Sequence, residues 1–501
     1  MPLAFEWFYL WPAVPEIFLA FAAMALLLVG ACSSEERAAR NVAGLGVMSL
    51  LVTFLFMLAA RPADGPLYAF PYGYGSQLAG YFFVSDMFSF YAKALILAGS
   101  AMTFVLAPEY LRRHKIEQFE FYILLLLATL GMMFMVSAYH LMTMYMGLEV
   151  MSFSLYILAA FWHTNLKSTE AGLKYFVLGS LASGLLLYGM SFLYGIVGDL
   201  SFSAIEQHLG GMADIGTNMP LMVALVMMIC ALAFKISAAP FHMWTPDVYE
   251  GAPTPVTAFM SAGPKVAAIA LMVRVLYEPL APLFDAWSQI LMVVAIFTMG
   301  FGSLLAIMQN NLKRLLAYSS IGHVGFMLVA LVGGSLAGVQ AVLVYLTVYV
   351  LMTTGVFGVL LMLRRKSIYV ETVDDISGLA QQAPVFAFML LLLFFSLAGV
   401  PPLAGFFAKF YAFSAAVEAG YTWLAVVGVL FSVVAAFYSL RIIRTVYFDP
   451  PTQNEYEVQV PFAVQSLTVA LTASILILGA LLYYVDGVTL SAAASLFPSG
   501  F

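Results

Sequence analysis

Residues 233–265 read AFKISAAPFHMWTPDVYEGAPTPVTAFMSAGPK. Lys235 and Lys265 bracket the stretch, and His242 and a series of prolines lie between them. Both lysines stand inside apolar runs, where a charged side chain at mid-membrane depth costs roughly 2.5 to 3.5 kcal/mol on insertion scales and is read as functional by default. The rest of the chain is read outward from this polar island.

Composition sets the class. The chain is 63% hydrophobic and 9% charged, with a mean hydropathy of +0.98, whereas soluble domains are about 25% charged. It is therefore an all-α polytopic membrane protein. The net charge of −6 says little about partners, because most of the surface faces lipid. Cys32 and Cys230 supply neither a disulfide framework nor a metal cluster and are read as inert thiols. The N-terminus lacks a basic region and carries Glu6 before its first apolar run, so that run is expected to stay as a helix and not to be a cleaved signal.

Crossing the hydrocarbon takes about 20 helical residues, and about fourteen apolar stretches meet that length. They lie near 12–30, 42–60, 79–106, 119–138, 139–161, 170–195, 219–240, 253–276, 283–308, 315–333, 338–362, 384–414, 421–443 and 462–486. Tyr139 and His140 interrupt one long apolar run, so a tight turn is expected between the fourth and fifth spans.

Basic residues are retained on the cytoplasmic side during insertion. With alternating loops, one side holds Arg37, Arg40, Arg112, Arg113, Lys115, Lys167, Lys313, Arg314, Arg364, Arg365, Lys366, Arg441 and Arg444. The other holds Arg61, with Arg274 near a helix end. The asymmetry predicts an even number of spans with both termini outside, and it places 196–218, with Glu206 and Asp214, on the outer side.

Lys93, Lys174, Lys235, Lys265 and Lys409 then remain inside spans, joined by Glu149 and His323. Burial disfavours a charged lysine and brings its proton affinity toward neutrality, and histidine titrates there unaided. A row of such groups at mid-membrane depth is what lateral proton transfer through bridging waters requires. Plainer readings stand beside this one. Lys93 follows Asp86 by seven residues and suits a structural pair; Lys174 can pair with Glu170 at i,i+4. His323 can be a packed histidine bonded to Ser or Tyr, and His242 suits a mouth position as well as a path. Glu149 has apolar neighbours on both sides and no soluble-face explanation.

Proline inside a helix removes a hydrogen bond and clashes with the preceding turn. Lys235 precedes Pro240, and Lys409 follows Gly399, Pro401, Pro402 and Gly405, so the seventh and twelfth spans are read as discontinuous helices. An offset of five spans reverses topology, which predicts two inverted five-helix repeats, spans 4–8 and 9–13. The expected divisions are 1–118, 119–276, 277–447 and 448–501.

The stretch 235–267 (KISAAPFHMWTPDVYEGAPTPVTAFMSAGPKVA), with YMGLEVMSFSLYIL, NLKRLLAYSSIGHVGFML and LAGVPPLAGFFAKFYAF, resembles the antiporter-like membrane subunits of proton-pumping NADH:quinone oxidoreductase, respiratory complex I. The resemblance covers most of the fourteen expected spans. PDVYEGAPTPVTAF looks like the N-type group, Lys409 stands where the M-type carries glutamate, and the chain lacks the long lateral helix of the L-type. Three spans ahead of the repeats suggest a bacterial-type protein of the inner membrane.

The resemblance implies that Glu149 pairs with Lys235 and sets its proton affinity, that Lys265 and His323 form the central relay, and that Lys409 is the terminal donor or acceptor. It also implies a place for Lys174 on the path and none for Lys93. Quinone chemistry elsewhere would alter the Glu149 to Lys235 pairing and move a proton. No Gly-rich nucleotide loop, Cys-rich iron–sulfur motif or haem-attachment motif is visible. NADH, FMN, iron–sulfur clusters and quinone are therefore expected in partner subunits, with other membrane subunits and lipids as this chain's contacts and no nucleic acid. The alternative is a subunit of a multisubunit cation/proton antiporter.

Overall fold

The computed structural model describes residues 7–62, 65–72, 80–213, 215–365, 368–451, 456–457 and 461–497; Glu6, Asp214 and Lys366 lie outside the described residues. In hydrocarbon every backbone N–H and C=O must be satisfied within its own segment, so a chain this apolar folds as helices. α1 (Val14–Cys32) and α2 (Glu35–Ala59) pack together and lead to a hairpin of β1 (Leu67–Tyr72) and β2 (Gly80–Ser85). α3 (Met87–Arg113), α4 (Phe119–Val136), α5 (Leu141–Ala159) and α6 (Leu166–Val197) follow, and the short α7 (Phe202–Gly210) leads to α8 (Met219–Ile236). Next come α9 (Trp244–Gly251), α10 (Thr254–Ser261), α11 (Gly263–Tyr277), α12 (Phe284–Ile307), α13 (Leu312–Leu331) and α14 (Leu336–Met362). After β3 (Arg364–Arg365) and β4 (Ile368–Tyr369) the chain runs through α15 (Leu379–Gln382), α16 (Pro384–Ala398), α17 (Ala404–Glu418) and α18 (Thr422–Tyr447). β5 (Tyr456–Glu457) joins β3 and β4 before α19 (Phe462–Ala494).

Among the described residues 13 helices are long and apolar enough to cross a membrane, or up to 14 if the bent pair Asp374–Gln382 and Pro384–Ala398 is one span. Polar caps fix many of their starts. Asp86, Asn165, Ser201, Asn218, Asn311 and Ser335 each accept a backbone N–H of the first turn, satisfying donors that have no partner inside the helix.

The third span departs from its expected bounds of 79–106. Residues 80–85 pair antiparallel with β1, and the helix begins only at Met87. The reason is local: Asp86 and Ser89 form a reciprocal capping box that starts the helix at that point. Between α4 and α5 the tight turn is present. Tyr139 N–H donates to Phe82 O and Leu141 N–H to Leu200 O, so the turn is tied to the hairpin and to the loop before α7.

α8 stops at Ile236 because Ser237 takes the left-handed conformation at φ 63° and Pro240 has no N–H to give,. Trp244 at the start of α9 reaches back across the gap, its Nε1 donating to Phe234 O at 3.0 Å. α16 stops at Ala398 in the same manner, with Gly399 at φ 87° and Pro401 and Pro402 following. Gly399 has a second constraint, since a Cβ there would stand 3.0 Å from the Lys409 side chain.

Thr254–Tyr277 is wholly buried inside the chain, and α13 and α14 are almost so, whereas α2, α18 and α19 keep most of their surface outward. A Cβ on Gly302 of α12 would come 2.3 Å from Gly322 N of α13; glycine here lets the two helices approach closely, as small residues do between membrane helices. The connections gather at two faces. Tyr110, His114, Trp162 and Tyr369 stack at the Lys/Arg-rich face, and Tyr72, Tyr139, His140 and Phe202 at the Lys/Arg-poor one.

Candidate functional site

α5 presents Glu149, Ser152 and Tyr156 at spacings of three and four, which puts them on one face. That face meets the last turn of α8. Lys235, buried there, donates through Nζ to Ser152 Oγ at 2.8 Å and to Tyr156 OH at 3.4 Å. Glu149 lies one turn from Ser152, half-buried, and its Oε1 is sealed from water with no hydrogen-bond partner. Among the described residues no ion pair within 4.0 Å joins Glu149 to Lys235. The Ser152 hydroxyl occupies the lysine's donor instead.

The last carbonyls of a helix have no internal partner and form the negative end of its dipole. Lysines fill that role at both breaks. Lys265 Nζ donates to Ile236 O at 2.8 Å, so it caps α8 at the residue next to Lys235. Lys409 Nζ donates to Ala398 O at 2.8 Å, capping α16, and to Ser432 Oγ at 2.9 Å. Lys409 also lies 5.1 Å from the centroid of the Phe326 ring and borders a cavity of about 630 Å³ between α17 and α18 that includes Ser432 and Glu418.

His323 is buried on α13. Its Nδ1 is 2.7 Å from Tyr345 OH, and its Nε2 is buried without a partner. Its ring tilts against Tyr349 at 5.7 Å, and Tyr349 OH donates to Ser320 Oγ at 2.7 Å. Phe326 stands edge-on to His323 at 6.2 Å, between it and Lys409. Among the described residues no direct hydrogen bond links Lys265 to His323 or His323 to Lys409. A proton moving between them needs hydroxyls or water as bridges.

Lys174 belongs to a different place. Its Nζ pairs with Glu170 at 2.7 Å and Asp247 at 2.8 Å, in a cluster completed by Arg314 on Asp247 and Glu250 and by Lys167 on Glu250. The cluster lines a cavity of about 140 Å³ at the Lys/Arg-rich face. Burial raises the Asp247 and Glu250 carboxyls, but hydrogen bonds from Lys174 and Arg314 to the first and from Lys167 and Arg314 to the second outweigh it and hold both below their ordinary values. Such carboxylates add stability that is present above the ordinary range and lost as pH falls through the lowered values. Protection factors of the amides in 244–251, taken against the intrinsic exchange rate at each pH, are accordingly expected to fall on acidification below about pH 4 and to stay flat between about pH 6 and 9. An α9 whose exchange ignores acid would refute the clamp.

His242 does not join the row: its ring lies near-parallel to Phe301 at 5.5 Å, and its Nδ1 is buried and unpartnered. Lys93 has a partner other than Asp86. Its Nζ is 2.6 Å from Glu16 Oε1, both side chains being buried. Asp86 instead receives Arg274 Nη2 on both oxygens at 2.8 Å, while Arg274 Nη1 donates to Glu278 at 2.6 Å and Nε to Val136 O at 3.0 Å. Arg274 stands in the last turn of α11, near the helix end as expected, and is fully buried there. Sequence reasoning passed over Glu16 and Glu278, although an acid in an apolar run and one four residues after an arginine were both visible signals.

A family model described as "NADH:quinone oxidoreductase/Mrp antiporter, TM" matches residues 138–435. NADH-quinone oxidoreductase subunit N of Parvibaculum lavamentivorans is 50% identical over 442 residues, covering 87% of this chain and 88% of that protein. The protein of the same name from Rhodospirillum rubrum is 49% identical over 451 residues, covering 90% of each. Among solved structures, a chain of respiratory complex I from Thermus thermophilus superposes with a TM-score of 0.77 at 33% identity, over 95% of this chain and 99% of its own. A chain of the Mrp complex from Dietzia sp. superposes at 0.83 with 21% identity, over 98% of each, and so shares the fold.

Proposed function

The chain belongs to the NADH:quinone oxidoreductase/Mrp antiporter transmembrane family, and from that membership we infer that it is an N-type proton-translocating membrane subunit of a respiratory complex I. It is a multi-pass subunit of a bacterial membrane translocase whose neighbours are other membrane subunits of that complex. NADH oxidation and quinone reduction are the business of partner chains, which hold the NADH, FMN, iron–sulfur clusters and quinone. The Mrp-type antiporter is the second reading; relatives of about half identity named for the quinone oxidoreductase favour the first.

The observation that carries the mechanism is the pair of helix breaks, each capped by a buried lysine, with the buried His323 one ring, Phe326, away from Lys409. Glu149, Lys235, Lys265, His323 and Lys409 form the proton row in this reading, and Lys174 serves from the surface cluster at its Lys/Arg-rich mouth. A change of charge beside the subunit acts on Glu149; Ser152 and Tyr156 carry the effect to Lys235 through their hydrogen bonds. Lys235 and Lys265 share one break, so a shift at the first alters the proton affinity of the second. Coupling of one or two pKa units, about 1.4 to 2.7 kcal/mol, is enough to reverse a protonation preference near pH 7.

The breaks also support a two-repeat organisation, 119–276 and 277–447, flanked by 1–118 and 448–501. Ser237 and Gly399 are the left-handed residues that end α8 and α16, and Pro240 and Pro402 each follow three residues later. Segregation of Lys and Arg to one face supports an orientation in the bacterial inner membrane with both termini on the periplasmic side.

The test is Lys235→Ala in the assembled complex, reconstituted in sealed vesicles. NADH-driven proton uptake is expected to fall about tenfold or more, toward the hundredfold or greater loss that removing a proton-transfer group can cause. A variant that assembles and pumps at the wild-type rate would sink the mechanism.

A further inference from the structure

The row leaves unused a second set of buried ionisable groups at the Lys/Arg-poor face. Arg274, Asp86 and Glu278 meet there with one positive and two acidic groups. Arg274 spends its donors on both Asp86 oxygens, on one Glu278 oxygen and on Val136 O. The other oxygen, Glu278 Oε2, is buried and has no hydrogen-bond partner; neither has the nearby Ser137 hydroxyl. A buried triad with a surplus acid and a bare carboxyl oxygen is placed to hold one proton.

Its position relates it to the row. Glu278 ends the helix whose first turn carries Lys265, about 20 Å away by helical rise,. The turns of α11 between Lys265 and Arg274 are apolar, but the adjacent α3 is not. Asp86, Ser89, Lys93, Ser100 and Thr103 recur along it at spacings of three, four, seven and three, which keeps them on one face. Ser100 shares a hydrogen bond with Thr129 at 2.8 Å, and the adjoining Gly99 lies against Gly263, two residues from Lys265. Lys93 and Glu16 form their buried pair about two turns from Asp86 and about two turns from Ser100,.

We propose that Glu278 is the proton-release group of this subunit, fed from the level of Lys265 along the α3 face through Lys93 and Glu16 and discharging to the Lys/Arg-poor face. The proposal rests on the proton-translocating reading above. In the release step the Glu278 carboxylic O–H breaks, the proton passes to the exposed Glu206 carboxylate or to water, and the carboxylate left behind is held by Arg274. No other bond changes. Asp86, Glu206, Arg274, Tyr68 and Tyr139 are the charged and titratable groups whose fields reach this site. Burial raises the Glu278 carboxyl to about 8, with Arg274 opposing and Asp86 and Glu206 adding to the rise. Burial beside two other acids thus favours the protonated form of Glu278.

Glu278→Gln tests the assignment, because glutamine still accepts from Arg274 and fills the same volume but carries no exchangeable acid proton. In the reconstituted complex NADH-driven pumping is expected to drop about tenfold or more, to lose its break near pH 8, and to recover in Glu278→Asp. Wild-type complex labelled with carboxyl-¹³C glutamate supplies a readout that does not depend on a variant folding: a carboxylic C=O infrared band that disappears as pH is raised through about 8. Pumping in Glu278→Gln equal to wild type between about pH 6 and 9, or a wild-type spectrum without that band, overturns the proposal. Lys235→Ala run in parallel separates the two levels. Loss of pumping there beside normal pumping in Glu278→Gln removes only the release group, whereas normal pumping in Lys235→Ala removes the reading beneath it.

Discussion

Replacing Lys265 by methionine is expected to cut proton pumping by the assembled complex to about one hundredth of the wild-type rate or less, the lower end of the range for losing a group that exchanges protons directly. Two separate losses combine. The path loses a titratable amine beside Lys235, and Ile236 O loses the side-chain donor that Lys265 gives it, leaving a buried carbonyl at a helix end at a cost of about 1 to 3 kcal/mol. Lys265→Arg separates them. Arginine donates to the carbonyl as lysine does but keeps its proton at any working pH. The arginine variant should therefore assemble and melt near wild type while pumping as poorly as the methionine variant. Vesicle acidification and thermal unfolding of the solubilised complex measure the two quantities independently. An arginine variant that pumps normally would show that Lys265 is a cap and nothing more.

Arg274→Met is expected to have the largest effect on stability, about 3 to 5 kcal/mol, the cost of breaking a buried ion pair from one side. The guanidinium neutralises Asp86, holds Glu278 and satisfies Val136 O at once, tying α11 to the start of α3 and the end of α4. Without it Asp86 remains buried with no counter-ion and Glu278 loses the donor that holds it. Lysine should rescue little, since a single ammonium cannot reproduce the fork that meets both Asp86 oxygens. Adding Asp86→Asn and Glu278→Gln to Arg274→Met should restore part of the loss by removing the unpaired charge. The amount of assembled complex in membranes and its melting temperature are the measurements. A single Arg274→Met variant that assembles and melts like wild type would show that the triad contributes no net stability.

The two results bear on how much could be read before the fold was known. Lys235, Lys265 and Lys409 were visible because lysine inside an apolar run near proline has few innocent explanations. Their hydrogen bonds were not visible, because each partner comes from a distant turn: Ser152 for Lys235, Ile236 O for Lys265, Ala398 O and Ser432 for Lys409. Lys174 shows the opposite outcome. Its spacing from Glu170 was legible as an i,i+4 pair, and the pair forms, but Asp247 and Arg314 arrive from α9 and α13 to make it part of a surface cluster. Lys93 was matched to Asp86 by sequence proximity, whereas each found a partner on another helix, Glu16 and Arg274 respectively. Seven residues on a helix is two turns, about 10 Å, too far for an ion pair and close enough to suggest one.

By itself the sequence determined the class, the number of crossings to within one and the segregation of basic loops, because these follow from summed hydropathy and from charge counted loop by loop, quantities that do not depend on which helix lies beside which,. It also determined where the helices break, since Pro240 and the Gly399 to Pro402 run act on their own backbone. Tertiary structure alone decided what each buried charge touches. A charge in hydrocarbon is stabilised only by a group brought to within a few ångströms, and contacts of that range between separate helices are fixed by packing, not by spacing along the chain. For this reason Glu278, unremarkable four residues beyond an arginine, became the one acid of its cluster with an oxygen left bare.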